Sequence, residues 1–121
     1  MKILVCGGRD FGNTADEYYF IFNRLDESVT PEDVIISGLA TGADTVAVEW
    51  ARMGGNRVET YPANWERDGN SAGPQRNQRM IDIGKPDIVY AFPGGKGTRD
   101  MVTRAKKHNI PVMEFHYESV D

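Results

Sequence analysis

The sequence predicts an α/β domain in which a five-stranded parallel sheet of order 3-2-1-4-5 carries helices on both faces, Rossmann-like in plan. Three observations support this. Five short runs rich in Val and Ile alternate with four helical patterns, the runs are mostly continuous in apolar character, and glycine clusters follow the first four of them. Continuous apolar runs are how strands covered on both faces read. A regular β-α-β alternation then requires right-handed crossovers.

The strands are expected at residues 2–6, 34–37, 57–61, 87–91 and 111–115. The first helix is expected over 14–27, with Tyr18, Ile21, Phe22 and Leu25 at helical spacing on its inner face. The second follows Thr41 and turns Ala43, Val46, Ala47, Trp50 and Met53 inward. The third begins near Pro74, a favoured first-turn proline, and ends at Gly84-Lys85-Pro86. The fourth begins at Thr98, buries Met101, Val102 and Ala105, and closes on Lys106, Lys107 and His108, cations suited to a helix C-terminus. Gly54, Gly55 and Gly84 read as C-caps, residues 62–74 as a long loop without structure, and the chain from Tyr117 onward as a loose tail.

The 121 residues suit a single domain over 1–121, with 40% apolar and 26% charged residues. One cysteine, Cys6, allows no intrachain disulfide and fits a reducing compartment. No apolar run approaches a membrane span, and the N-terminus reads as a strand instead of a signal peptide, so a cytoplasmic location is expected. The net charge of −4 argues against indiscriminate binding to nucleic acid or membrane. Six of the fourteen basic residues, Arg9, Arg67, Arg76, Arg79, Lys96 and Arg99, nevertheless stand in or beside glycine-bearing loops. Ten of the thirteen glycines fall in four clusters, 7/8/12, 38/42, 69/73 and 94/95/97.

Phe92-Pro-Gly-Gly-Lys-Gly-Thr-Arg-Asp100 follows a strand and opens a helix, where free N–H groups and the helix dipole attract an anion. A cap by Thr98 explains one residue of it; Gly94, Gly95 and Gly97 exceed what a cap needs. Ser37-Gly-Leu-Ala-Thr-Gly-Ala-Asp44 is a second such turn, in which Thr41 and Asp44 suit a weak capping box while Gly38 and Gly42 suggest a ligand loop. The third turn, Cys6-Gly-Gly-Arg-Asp-Phe-Gly12, places Arg9 where a dinucleotide fingerprint needs glycine, and Lys96 is followed by Gly97 where a P-loop needs Ser or Thr. Conventional NAD sites and P-loop ATPases are excluded. Gly7, Gly8 and Arg9 remain candidates for a ligand, as does Arg76, whose cation at a helix N-terminus is either a misplaced surface charge or an anion ligand. Trp65 reads as a loop anchor or a base-stacking ring. No His, Cys and carboxylate spacing suits a metal, no cofactor is expected, and Cys6 reads as core.

Gly7-Gly-Arg-Asp-Phe11, Ser37-Gly-Leu-Ala-x-Gly-Ala-Asp44 with Trp50-Ala51, Gly73-Pro-x-Arg-Asn77 with Met80, and Phe92-Pro-Gly-Gly-x-Gly-Thr-x-Asp-Met101 together resemble the YspA/YpsA-related branch of the SLOG superfamily. That superfamily includes DprA and the Lonely Guy phosphoribohydrolases, and stand-alone chains of this size also resemble phage-encoded proteins. The resemblance implies a Rossmann-like fold and a nucleotide, NAD- or ADP-ribose-derived ligand, sensed or processed. It implies phosphate binding by Gly94, Gly95, Gly97 and Thr98, and a functional arginine at Arg76, next to Asn77. The glutamate that follows in the Lonely Guy motif falls on Met101; Asp100 stands one place earlier, about 100° around the helix. Three readings follow: a ligand-binding sensor or sequestering module in which Asp44 or Asp100 meets ribose, an N-glycosidic hydrolase using Arg76 and Asp100, and an interaction or DNA-processing module resembling DprA. The partner expected is a small nucleotide-type molecule, with neither membrane nor nucleic acid, and homo-oligomerisation left open.

Overall fold

The computed structural model describes residues 1–118. Strands β1 (Lys2–Cys6), β2 (Val34–Ser37), β3 (Arg57–Thr60), β4 (Ile88–Ala91) and β5 (Val112–Glu114) pair in parallel in the order β3-β2-β1-β4-β5, as the sequence predicts. The chain works outward from β1 to β3 and then returns to lay β4 along the other side of β1, with Cys6 opposite Ala91. That reversal is the switch point. Tyr61, Asp87, Pro111 and Phe115 fall just outside the strands, although the N–H groups of Tyr61 and Phe115 still bond to the carbonyls of Ser37 and Ala91.

Helices α1 (Ala15–Ser28), α2 (Ala43–Gly54), α4 (Ala72–Asp82) and α5 (Lys96–Lys107) cover the sheet, and the short α3 (Trp65–Asp68) packs against α4. Alternate strand residues divide between two cores. Ile3, Val5, Ile35 and Tyr90 pack with Ile21 and Leu25 of α1 and Val46, Ala47 and Trp50 of α2. Leu4, Cys6, Ile36, Val89 and Ala91 meet Met80 and Ile81 of α4 and Met101 and Ala105 of α5. Both faces of the central strands are therefore dry, which is why those runs show no polar alternation. Each fully buried aliphatic contributes about 1.5–3 kcal/mol.

The structure corrects several local expectations. Met53 is 76% exposed, not inward. Thr14 caps α1 from outside by accepting from the N–H of Glu17, whose carboxylate accepts from the N–H of Gly12. Gly55 does close α2, in the left-handed conformation, but Ile83 closes α4 and Lys85, not Gly84, takes the positive φ. The segment 62–74 is not structureless. It forms α3, a 3-10 turn over Gly69–Ser71, and the first turn of α4, which opens ahead of Pro74. Asn64 caps α3 by accepting from the N–H of Arg67, and Arg67 pairs with Asp68, so local polar bonds order a segment with no apolar period. Tyr117 is not loose either: its ring lies 5.3 Å from that of Phe11 and 5.1 Å from that of Phe20. The rest of the predicted tail, 119–121, lies outside the described residues.

Candidate functional site

The carboxyl ends of β1 and β4 stay paired, Phe92 N–H on the Cys6 carbonyl and Gly8 N–H on the Pro93 carbonyl, and the connections leaving them at this switch point border a cleft of about 970 Å³. Its walls bring together most of the predicted residues. Gly7, Gly8 and Arg9 come from the turn after β1, Asp44 from α2, Arg76 and Asn77 from α4, Gly94 and Gly95 from the β4–α5 turn, and Gly97, Thr98 and Asp100 from α5. Ser37, Gly38 and Gly42 do not line it; Gly38 borders a side pocket of about 120 Å³ shared with Arg9, Trp65 and Arg76. Asn70 and Pro93 line the cleft without having been singled out, their only signal being membership of segments already assigned to that edge.

Two glycine turns that look alike in sequence are capped and bonded differently. Helix α5 begins at Lys96, two residues before the predicted start, with Gly95 as a cap that makes no side-chain bond. Thr98 therefore lies within the first turn and is not the N-cap. Its hydroxyl packs where a Cβ on Gly94 would sit. The N–H of Arg99 reaches the Gly95 carbonyl, and among the described residues no hydrogen bond takes those of Lys96, Gly97 and Thr98, which line the cleft. In the other turn Thr41 is not the cap of α2. Gly42 is, at φ 81, because a Cβ there would run into the carbonyls of Gly8 and Arg9. The turn's donors at Leu39, Ala40 and Ala43 are occupied, the last by the Gly8 carbonyl. The N–H of Leu39 bonds to the hydroxyl of Ser37, and that of Ala40 bonds to the Asp44 carboxylate. Ser37, fully buried, also donates to the Asp44 carbonyl. This turn closes on itself and builds the cleft wall from behind.

Arg76 is not a surface cation. It is 9% exposed, and it donates from Nη1 to the Gly38 carbonyl at 2.6 Å and from Nε to Oδ1 of Asn77 at 3.1 Å. Among the described residues no hydrogen bond involves its Nη2. Asn77 in turn donates to the Gly97 carbonyl and to Asp100 at 2.9 Å, and Asp100 also accepts from Nε of Arg104 at 2.8 Å. One polar chain thus runs from the β2–α2 turn through α4 to α5. Burial lowers the affinity of Arg76 for its proton, and the neighbouring Asp44 opposes this. Burial pushes the Asp44 carboxyl up to about 7 against the pull of Arg76. Cys6 lies in the same floor, its thiol driven far up by burial, so it stays a neutral core group.

The Asp44 shift makes a stability prediction with a definite sign. The folded protein holds a proton on Asp44 above the ordinary 3.8, so the unfolded chain binds fewer protons between 3.8 and about 7. The stability this group contributes is complete below 3.8 and is lost as pH rises through about 7. Thermal melting across that window is expected to fall with rising pH in the wild type. Asp44→Asn, which cannot ionise, is expected to flatten that component; an unchanged slope would assign it to other groups.

Among the described residues no group of three His, Cys, Asp or Glu side chains is placed to hold a metal. No helix among them is long and apolar enough to cross a membrane.

A parallel sheet between two helical layers, with a glycine-walled cleft at the strand reversal and no dinucleotide fingerprint, defines a Rossmann-like α/β protein of its own kind. The chain belongs to the YspA, cpYpsA-related SLOG family, whose model matches residues 1–67. It is similar to Gene 61 protein of Mycobacterium phage D29, at 42% identity over an alignment of 121 positions that covers 94% of this chain and 95% of the relative. No solved structure matches. The family match ends before α4, so the Arg76 and Gly94–Thr98 walls lie outside it, while the phage relative extends across nearly the whole chain.

Proposed function

We propose that residues 1–121 form a single nucleotide-binding domain that takes a nucleotide or an NAD- or ADP-ribose-derived small molecule at the carboxyl edge of the sheet, as a sensor or sequestering module. The observation that carries this reading is a convergence. The N–H groups opening α5, free of hydrogen bonds among the described residues, and the buried guanidinium of Arg76 border one cleft, whose wall at Gly95 and Gly97 has no Cβ. Helix N-termini and guanidinium groups both favour phosphate. Membership of the SLOG family supports a nucleotide-related ligand. The floor carboxyl of Asp44 and the rim carboxylate of Asp100 suit ribose hydroxyls.

Asp100 also supports binding over turnover. Its carboxylate is already bridged by Arg104 and Asn77, which fixes a charge in place instead of leaving an acid or base at liberty. The hydrolytic reading keeps one favourable observation, that this fixed charge borders the cleft, where it would stabilise an oxocarbenium-like centre. Calorimetry with AMP, NAD and ADP-ribose, run beside a product assay, tests both. The expected result is saturable binding without turnover, with Asp100→Asn changing affinity alone. Hydrolysis by the wild type that drops on the order of 100-fold in Asp100→Asn would replace this reading with the enzymatic one. Absence of binding to the whole panel would remove both.

A further inference from the structure

The two tryptophans of this chain are placed in opposite ways. Trp50 is an anchor: it is 9% exposed, and its indole N–H donates to Asp26 at 2.7 Å. Trp65 is 49% exposed, lines the cleft, and among the described residues its indole N–H makes no hydrogen bond. A ring that served only to fix its loop would be buried like Trp50. Instead α3 is held by other bonds, the Asn64 cap and the Arg67–Asp68 pair, so Trp65 is not needed to close it. Its face already receives a flat cationic group. The Arg9 guanidinium sits 5.3 Å from the ring centroid, joining the β1–α1 turn to α3 across the cleft rim.

We propose that Trp65 is the base-recognition element of this cleft, its ring stacking on the nucleobase in the place where Arg9 lies. This rests on the nucleotide reading given above and adds the part of the ligand that phosphate contacts cannot distinguish. A purine or pyrimidine presents the same planar face to the indole that the guanidinium does, and it removes exposed aromatic surface from water. Stacking tolerates any base, so the class implied is nucleotides in general over ribose phosphates. The phosphate is bound by the turn opening α5 and by Arg76, the base by Trp65, and the two ends are separable by experiment.

The test compares AMP with ribose 5-phosphate by calorimetry on wild type, Trp65→Ala and Trp65→Phe. Stacking of a base on an aromatic ring corresponds to roughly a 5- to 150-fold affinity difference. Trp65→Ala is expected to weaken AMP within that range and leave ribose 5-phosphate within about twofold, with Trp65→Phe retaining most of the AMP affinity. AMP is also expected to quench tryptophan emission in the wild type and not in Trp65→Phe, where only the buried Trp50 remains. Unchanged AMP affinity in Trp65→Ala, or an equal loss for both ligands, overturns the assignment. So does equal affinity of the wild type for AMP and ribose 5-phosphate, which leaves the phosphate site standing without a base site. If the wild type binds neither, the nucleotide reading fails and the assignment with it.

Discussion

Arg76→Ala is expected to lower the melting temperature of the free protein and to erase the further rise that a nucleotide produces. Two separate losses combine. Within the fold, Nη1 and Nε tie α4 to the Gly38 carbonyl and to Asn77, and the cation stands near the buried Asp44. Removing one member of a buried charged set costs about 3–5 kcal/mol when the partner stays ionised. At pH below about 7 Asp44 holds its proton, so the loss is expected to be smaller there than in alkaline buffer. Towards the ligand, the lost charge-assisted bonds correspond to about 1.5–3 kcal/mol, a roughly 10- to 100-fold weaker complex. Arg76→Lys keeps the charge without the planar fork and is expected to recover part of both. Differential scanning fluorimetry with and without AMP separates the terms. A variant within about 0.5 kcal/mol of wild type, with its full ligand-induced rise, would show the arginine to be a bystander.

The adjacent glycines 94 and 95 are expected to respond in opposite ways. A Cβ on Gly94 would strike the Thr98 hydroxyl and approach the Gly8 amide, whose N–H is bonded to the Pro93 carbonyl at 2.8 Å. Gly94→Ala therefore forces apart the turns after β1 and β4, and a destabilisation of about 1–3 kcal/mol is expected from the overpacking. A Cβ on Gly95 meets nothing within 4 Å, and its φ of −102 lies outside the left-handed region. Gly95→Val should fold with wild-type stability while its branched side chain occupies the space over the α5 donors. Loss of AMP, NAD and ADP-ribose binding in a normally folded Gly95→Val variant is the result expected by calorimetry. Retained affinity would move the phosphate away from this turn.

The sheet order and both cores were legible because burial on two faces leaves an unbroken apolar signature, as in Leu4, Val5, Ile35 and Ile36. The cleft was legible because glycine clusters mark where that signature stops. What stayed hidden depended on where side chains point. Arg76 reads as a lone cation at a helix start, and only the fold brings Gly38 above it, 38 residues away in the chain. Thr41 and Thr98 both look like caps, yet backbone crowding by Gly8 and Arg9 moves one cap to Gly42, and the Thr98 hydroxyl packs against Gly94. The order of 62–74 rests on Asn64 and Arg67, polar residues that carry no periodicity. The Met53 error has a simpler source, since the last turn of α2 extends past the core that its earlier residues fill.

The place of β1 at the middle of the sheet has a consequence for the order in which the protein is made. Once Thr60 has emerged from the ribosome, β1, β2 and β3 and the helices between them can assemble, giving half a sheet. The central strand then carries one bare side, and it stays bare until Ile88–Ala91 arrive to pair with Ile3–Cys6. During that interval the nascent chain presents a strand that is buried at four of its five residues in the finished fold as an open edge, the geometry that recruits foreign strands. A delay after Thr60 has left the ribosome and before Ile88–Ala91 follow would prolong that exposure, so slow completion of the chain should lower the soluble yield without altering the finished fold.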